Sequence, residues 1–188
     1  LEGSKCCGRL VAAAITTAAR IVEVDCRGVA LGEAASDVAA AARRHLSLRK
    51  LNGVSTDAPP TPHLSFARRR IGDAGALALG RDLERSRHAL ESLDLRDCSL
   101  GPAGIAAILH GLSRRRNGDP PRRDVNPRVL NLERNDVGDV GMHALARHLR
   151  DDARLETLQL RGCHLPRSTT RAMSEFGLAF EANVGLVT

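Results

Sequence analysis

A chain of 188 residues is one domain's worth of sequence, and its 43% apolar content is enough for a core. Three Phe and no Trp or Tyr mean a core of Leu, Ala, Val and Ile, and no aromatic platform for stacking bases. No apolar run approaches the roughly 18–20 residues that cross a bilayer, and the net charge of +6 is compatible with nucleic acid or acidic protein partners.

Residues 1–20 read as the back half of a strand–turn–helix unit, with Gly3 near the turn and Leu10 to Ala19 as the helix. The missing strand, the absent polar cap and a first residue Leu1 rather than Met predict an ordered fragment of a longer array. Ile21 to Cys26 is the next strand, and the Ala-rich stretch from Ala34 to His45 is its helix. Pro59, Pro60 and Pro62 forbid a regular helix, so residues 47–62 are expected to form an inserted loop. His63 to Phe66 resumes a strand, Ile71, Gly72 and Gly75 form a turn, and Leu77, Leu79 and Leu83 supply helix contacts.

Leu90 to Leu112 is the most regular stretch. Leu93 and Leu95 sit on one side of a short strand, because side chains alternate with a period of two. Cys98 and Leu100 follow, then Gly101 and Gly104, whose backbone freedom allows a tight turn. Ile105, Ile108, Leu109 and Leu112 fall at helical spacing. Residues 113–127, rich in Arg, Gly and Pro, are read as a second inserted loop. Val129 to Leu132 opens another copy with Asn135, Val137, Gly138 and Gly141 in register. Leu155 to Leu160 opens one more with Cys163 and Leu165, although Pro166 and Thr169 replace its turn glycines. Met173, Phe176 and Leu178 continue a helix, and Asn183 to Thr188 resembles the start of a further strand.

The series L-x-x-L-x-L-x-x-N/C-x-L, at spacings of 29 residues from Leu64 to Leu93 and 28 from Leu130 to Leu158, resembles the leucine-rich repeat of the ribonuclease-inhibitor type. That family commonly alternates Cys and Asn at the position held here by Cys98, Asn135 and Cys163. The resemblance implies an α/β leucine-rich repeat solenoid, a horseshoe with a parallel concave sheet and convex helices, over residues 1–188. Arg69 stands where Cys or Asn is expected, and must turn to solvent or find a partner. Cys26, Cys98 and Cys163 face the interior. Cys98 and Cys163 are two strands, about 9–10 Å, apart, too far for a disulfide, which predicts reduced thiols and an intracellular, cytoplasmic or cytoskeletal compartment.

Residues between the leucines form columns on the concave face. One column is Asp25, Ser65, Asp94, Asn131 and Gln159; the next is Arg27, Ala67, Arg96, Glu133 and Arg161. Arg96, Glu133 and Arg161 are expected to form a charge ladder, either as a self-satisfied surface network or as part of a docking face. A second candidate is the basic loop with Arg114, Arg115, Arg116, Arg122 and Arg123, suited to an acidic surface or to phosphates. His45, His88, His110, His143 and His148 read as ordinary surface residues near helices. No Ser/His/Asp series, phosphate loop or metal spacing stands out, so neither catalysis nor a cofactor is expected.

The leading expectation is a non-catalytic protein–protein interaction scaffold, a structural subunit of a large complex. Proteins with similar repeats occur in ciliary axonemes and in immune-type sensors. Two alternatives are a GTPase activator resembling the RanGAP family, which shares this repeat type, and RNA-associated binding through the arginines.

Overall fold

The computed structural model describes residues 2–18, 20–27, 31, 34–45, 48, 50–52, 54–55, 61–86, 88–116, 126–152, 154–166 and 171–182. The elements are α1 (Glu2–Thr17), β1 (Glu23–Val24), α2 (Ala35–Arg44), β2 (Lys50–Leu51), β3 (Val54–Ser55), β4 (His63–Ser65), α3 (Gly72–Arg85), β5 (Ser92–Asp94), α4 (Pro102–Arg116), β6 (Val129–Asn131), α5 (Gly138–Asp151), β7 (Thr157–Gln159) and α6 (Arg171–Ala182). Strands β4, β5, β6 and β7 form one parallel sheet in chain order, with Leu64, Leu93, Leu130 and Leu158 in a single row. Helices connect successive strands and pack on one another in sequence, α3 on α4, α4 on α5 and α5 on α6.

The core follows the repeat register. Leu93, Leu95, Cys98, Leu100, Ile105 and Ile108 of one unit are buried against Leu130, Leu132, Val137, Met142 and Leu145 of the next. Each unit covers its neighbour's apolar face, so the core is continuous along the array. A second buried cluster, with Ile15, Cys26, Leu31, Val38 and Leu51, serves the first units.

In three successive units one residue satisfies the buried bend between strand and helix. The Cys98 thiol donates to the Phe66 carbonyl at 3.0 Å, the Asn135 amide to the Leu95 carbonyl at 2.8 Å, and the Cys163 thiol to the Leu132 carbonyl at 3.1 Å. All three reach the same point of the preceding unit. Asn135 Oδ1 also accepts the N–H groups of Cys98 at 3.1 Å and Leu100 at 3.0 Å. Burial pushes the Cys98 thiol up to about 11, so it remains a protonated donor.

Several elements differ from the sequence reading. Helix α1 begins at Glu2, so Gly3 is helical rather than a turn residue. Residues 47–62 hold two strands instead of a plain loop: β2 pairs parallel with β1, and β3 folds back antiparallel on β2. Leu51 pairs with Val54, and Asn52, the first residue of the dipeptide Asn52-Gly53, has φ 52°. That dipeptide is a strong hairpin signal, outweighed in the sequence reading by the prolines that follow. The sheet is consequently divided, β1-β2-β3 apart from β4-β5-β6-β7. In the 113–127 stretch, α4 continues through Arg116, while Asn126 and Pro127 are buried; residues 117–125 lie outside those described. Residues 183–188 also lie outside them. Arg69 does turn to solvent, its guanidinium 5.7 Å from the centroid of the Phe66 ring.

Helix packing uses glycines that periodicity does not reveal. A Cβ on Gly111 would lie 2.0 Å from the Gly80 carbonyl oxygen, and a Cβ on Gly80 would lie 2.4 Å from the Ala107 carbonyl oxygen. Helices α3 and α4 therefore meet backbone to backbone. Gly101 has no left-handed angle; Gly72 and Gly138 do, at φ 62° and 51°. Gly101 is held instead by its N–H to Asp73 Oδ1 at 2.7 Å.

Replacing Gly111 with Ala is expected to destabilise the chain by about 2–3 kcal/mol, despite roughly 1 kcal/mol of gained helix propensity, because α3 must move away. A urea unfolding midpoint that rises would refute the contact. Asn135→Ala strands the Cys98 and Leu100 N–H groups and is expected to cost about 3–5 kcal/mol at roughly 1–3 kcal/mol per buried unsatisfied group. Asn135→Cys keeps the donor toward Leu95 and is expected to cost about half as much, measured in the same denaturation series.

Candidate functional site

The concave face begins with how each strand ends. Ser65, Asp94, Asn131 and Gln159 are neighbours in register across β4, β5, β6 and β7. Asp94 Oδ1 accepts the Arg96 N–H at 3.0 Å, Asn131 Oδ1 accepts the Glu133 N–H at 3.0 Å, and Ser65 Oγ accepts the Ala67 N–H at 3.4 Å. These are Asx and ST turns, in which a short polar side chain caps the bend two residues on. Gln159 ends β7 exposed. The expected column is present, and its first polar atom is spent locally in three of four places.

Asp25 and Arg27 follow β1, which belongs to the other sheet. Asp25 Oδ1 accepts the Arg27 N–H at 3.0 Å, and the Arg27 guanidinium pairs with the same carboxylate. That hydrogen bonding holds the Asp25 carboxyl down at about 2.

The expected ladder of Arg96, Glu133 and Arg161 does not form: no ion pair joins them. Their positions lie beyond the strand ends, in the turns. Backbone hydrogen bonds still join successive units there, from the Asp97 N–H to the Glu133 carbonyl at 2.9 Å and from the Arg134 N–H to the Arg161 carbonyl at 3.1 Å, while the side chains stay unpaired. A ladder does form at the opposite, leading ends of the strands. Arg128 Nε lies 3.2 Å from Glu91 Oε2, Arg128 also pairs with Glu156, and Arg154 reaches Glu91 Oε1 at 2.8 Å. Glu91, Arg128 and Glu156 occupy one repeat position, each just before its strand, so alternating signs there were the available signal.

Of the basic-loop residues, Arg114 is on α4 and lies 3.7 Å from Glu84. Arg115 and Arg116 complete that helix, and Arg122 and Arg123 lie outside the described residues.

Two histidines are not the surface residues expected. His148 is buried, with Nε2 3.7 Å from Asp152 Oδ2 and Nδ1 3.5 Å from Ser113 Oγ. Asn126 Nδ2 donates to the same Asp152 oxygen. The i, i+4 spacing of His148 and Asp152 on one helical face was the missed signal. His143 Nδ1 is 2.8 Å from Glu175 Oε2 and ties α5 to α6. Arg171 and then His143 hold the Glu175 carboxyl below its usual range. The serine–histidine contact is long and enclosed, and the cluster anchors residue 126 to the end of α5.

A cleft of about 610 Å³ opens at the trailing ends of the strands, bordered by Arg27, Arg70, Asp73, Arg134, Asp136 and His164 among others. No helix among the described residues is long and apolar enough to cross a membrane.

A family model described as Leucine Rich repeat matches residues 88–109 and 128–146. Over 117 residues the chain is 30% identical to ribonuclease inhibitor of Mus musculus, covering 62% of this chain and 24% of that protein. Over 128 residues it is 30% identical to NACHT, LRR and PYD domains-containing protein 13 of Homo sapiens, covering 68% of this chain and 11% of that protein. The chain thus spans about a quarter of one relative and about a tenth of the other. Parallel strands in register, helices between them, and a Cys or Asn bonded across successive bends agree with these matches: the chain is a leucine-rich repeat solenoid whose repeats are of the ribonuclease-inhibitor-like, helix-containing type.

Proposed function

We propose that the chain is a non-catalytic protein–protein interaction scaffold, a structural subunit of a larger intracellular assembly such as a ciliary or axonemal complex. The observation that carries this reading is the in-register polar row Ser65, Asp94, Asn131 and Gln159 on a sheet whose opposite face is core. Asx turns fix Asp94 and Asn131, so a partner meets side chains already ordered, which lowers the entropy lost on docking. Asp94 Oδ2 and the exposed Gln159 remain to contact it, whereas Asn131 is buried. The mouse relative is named as an inhibitor of ribonuclease, a role exercised toward another protein. Cys26, Cys98 and Cys163 are free thiols, which suits a reducing compartment.

The test is affinity purification of the full-length protein from its native cell, with mass spectrometry of what is retained. Wild type is expected to recover a fixed set of structural proteins. Gln159→Arg together with Thr157→Lys on the concave face is expected to lower that recovery about tenfold, the effect of like charge or lost contacts worth about 1.4 kcal/mol. Unchanged recovery by the concave variant would sink the docking face. Recovery of a small GTPase whose hydrolysis the protein stimulates would replace the scaffold with a regulator.

A further inference from the structure

Arginines at the two ends of the strands are used differently. At the leading ends, Arg128 and Arg154 are engaged by Glu91 and Glu156. At the trailing turns, Arg68, Arg70, Arg134 and Arg161 are exposed, and none is in an ion pair. Arg69 lies over Phe66, and Arg96 is half-buried with no carboxylate partner. The backbone at these turns is costly. Arg68, Arg70 and Arg134 hold φ of 61°, 49° and 56°, a left-handed conformation that costs an L-residue about 1–2 kcal/mol relative to the right-handed one. Glycine stands at the position of the last repeat that matches Arg68 and Arg134, Gly162, with φ 69°. Arg70 and Arg134 border the 610 Å³ cleft together with Arg27 and His164. Two carboxylates also border it, and Asp73 is already occupied by the Gly101 N–H.

We propose that this trailing edge is a docking surface for an acidic peptide segment of a partner protein, with carboxylates spaced along an extended chain. The proposal rests on the scaffold reading and names the partner's chemistry. Guanidinium groups bind carboxylates through paired N–H donors, and those of Arg68, Arg70, Arg134 and Arg161 form no ion pair among the described residues. Asp97, Glu133 and Asp136 alternate with them along the turns. A continuous phosphate backbone would be repelled at each of those acids, whereas a peptide can leave a gap opposite each. The Phe66 ring is buried, so it offers no face for a base to stack on.

The experiment is fluorescence anisotropy of a short labelled peptide in which glutamates alternate with serines, titrated with the full chain, at low and at physiological salt. Wild type binds, and more weakly as salt rises. The triple variant Arg68→Gly, Arg70→Gly and Arg134→Gly removes the charges while supplying the residue that best tolerates those angles, so its fold is not strained. It is expected to bind at least about tenfold more weakly, while Arg147→Glu with Arg150→Glu on the exposed side of α5 stays within about twofold. Absence of wild-type binding, equal loss in both variants, or tighter binding of single-stranded RNA than of the peptide overturns the proposal. Because the titration uses no native partner, its failure leaves the concave-face capture to stand or fall separately.

Discussion

The bend that carries each strand into its helix is the constraint on which the rest of the array depends. It turns the chain inside the core, where water cannot reach the backbone groups it exposes. Cys98, Asn135 and Cys163 each answer this with a bond to the carbonyl just past the preceding strand. Cysteine and asparagine are not equivalent there. A thiol kept protonated by burial offers one donor. An amide offers two donors and an acceptor, and Asn135 uses them on Leu95, Leu132, Cys98 and Leu100. Where the ladder residue is Cys163, the N–H groups of the preceding turn find another acceptor: those of Val137 and Gly138 both go to the His164 carbonyl, at 3.0 and 3.2 Å. Alternation therefore works because backbone carbonyls take over at every other unit.

Asn52 extends this logic across the break in the sheet. Its Oδ1 accepts the Cys26 N–H at 2.8 Å, and its Nδ2 donates to the Ile71 carbonyl at 2.7 Å. It is almost completely buried. The copy that carries Arg69 lacks a ladder residue of its own, and an amide supplied by the hairpin serves the bend from the side. The hairpin is thus what allows an arginine at that position to face solvent.

What could be read from residues alone followed from how each signal is encoded. Apolar spacing placed Leu93, Leu95, Leu100, Ile105 and Leu109 in the core, because burial of a whole face demands that periodicity. The left-handed turns were less legible, since arginine rather than glycine occupies Arg68 and Arg134. Gly80 and Gly111 carry no periodic mark; their necessity comes from a neighbouring helix 31 residues away in sequence for the pair itself. The burial of His148 is not marked by its own residue type and shows only in the carboxylate four residues on, Asp152. Of the proposed concave positions, Asp94, Asn131 and Gln159 share a row, while Asp25 and Arg27 follow a strand of the other sheet.

Charge shows most clearly why density along the sequence is a poor guide to a charged surface. The run at 114–116 begins on a helix, where Arg114 already lies near Glu84. The trailing-edge arginines come singly or as one triplet from four different turns, and only the solenoid's register assembles them. At the leading edge the same register sets Glu, Arg and Glu side by side and cancels their charge. A repeat fold converts a fixed offset in sequence into a line in space. Opposite signs at one offset make the leading line neutral, whereas the trailing arginines come from several offsets, among Asp97, Glu133 and Asp136, and stay unpaired.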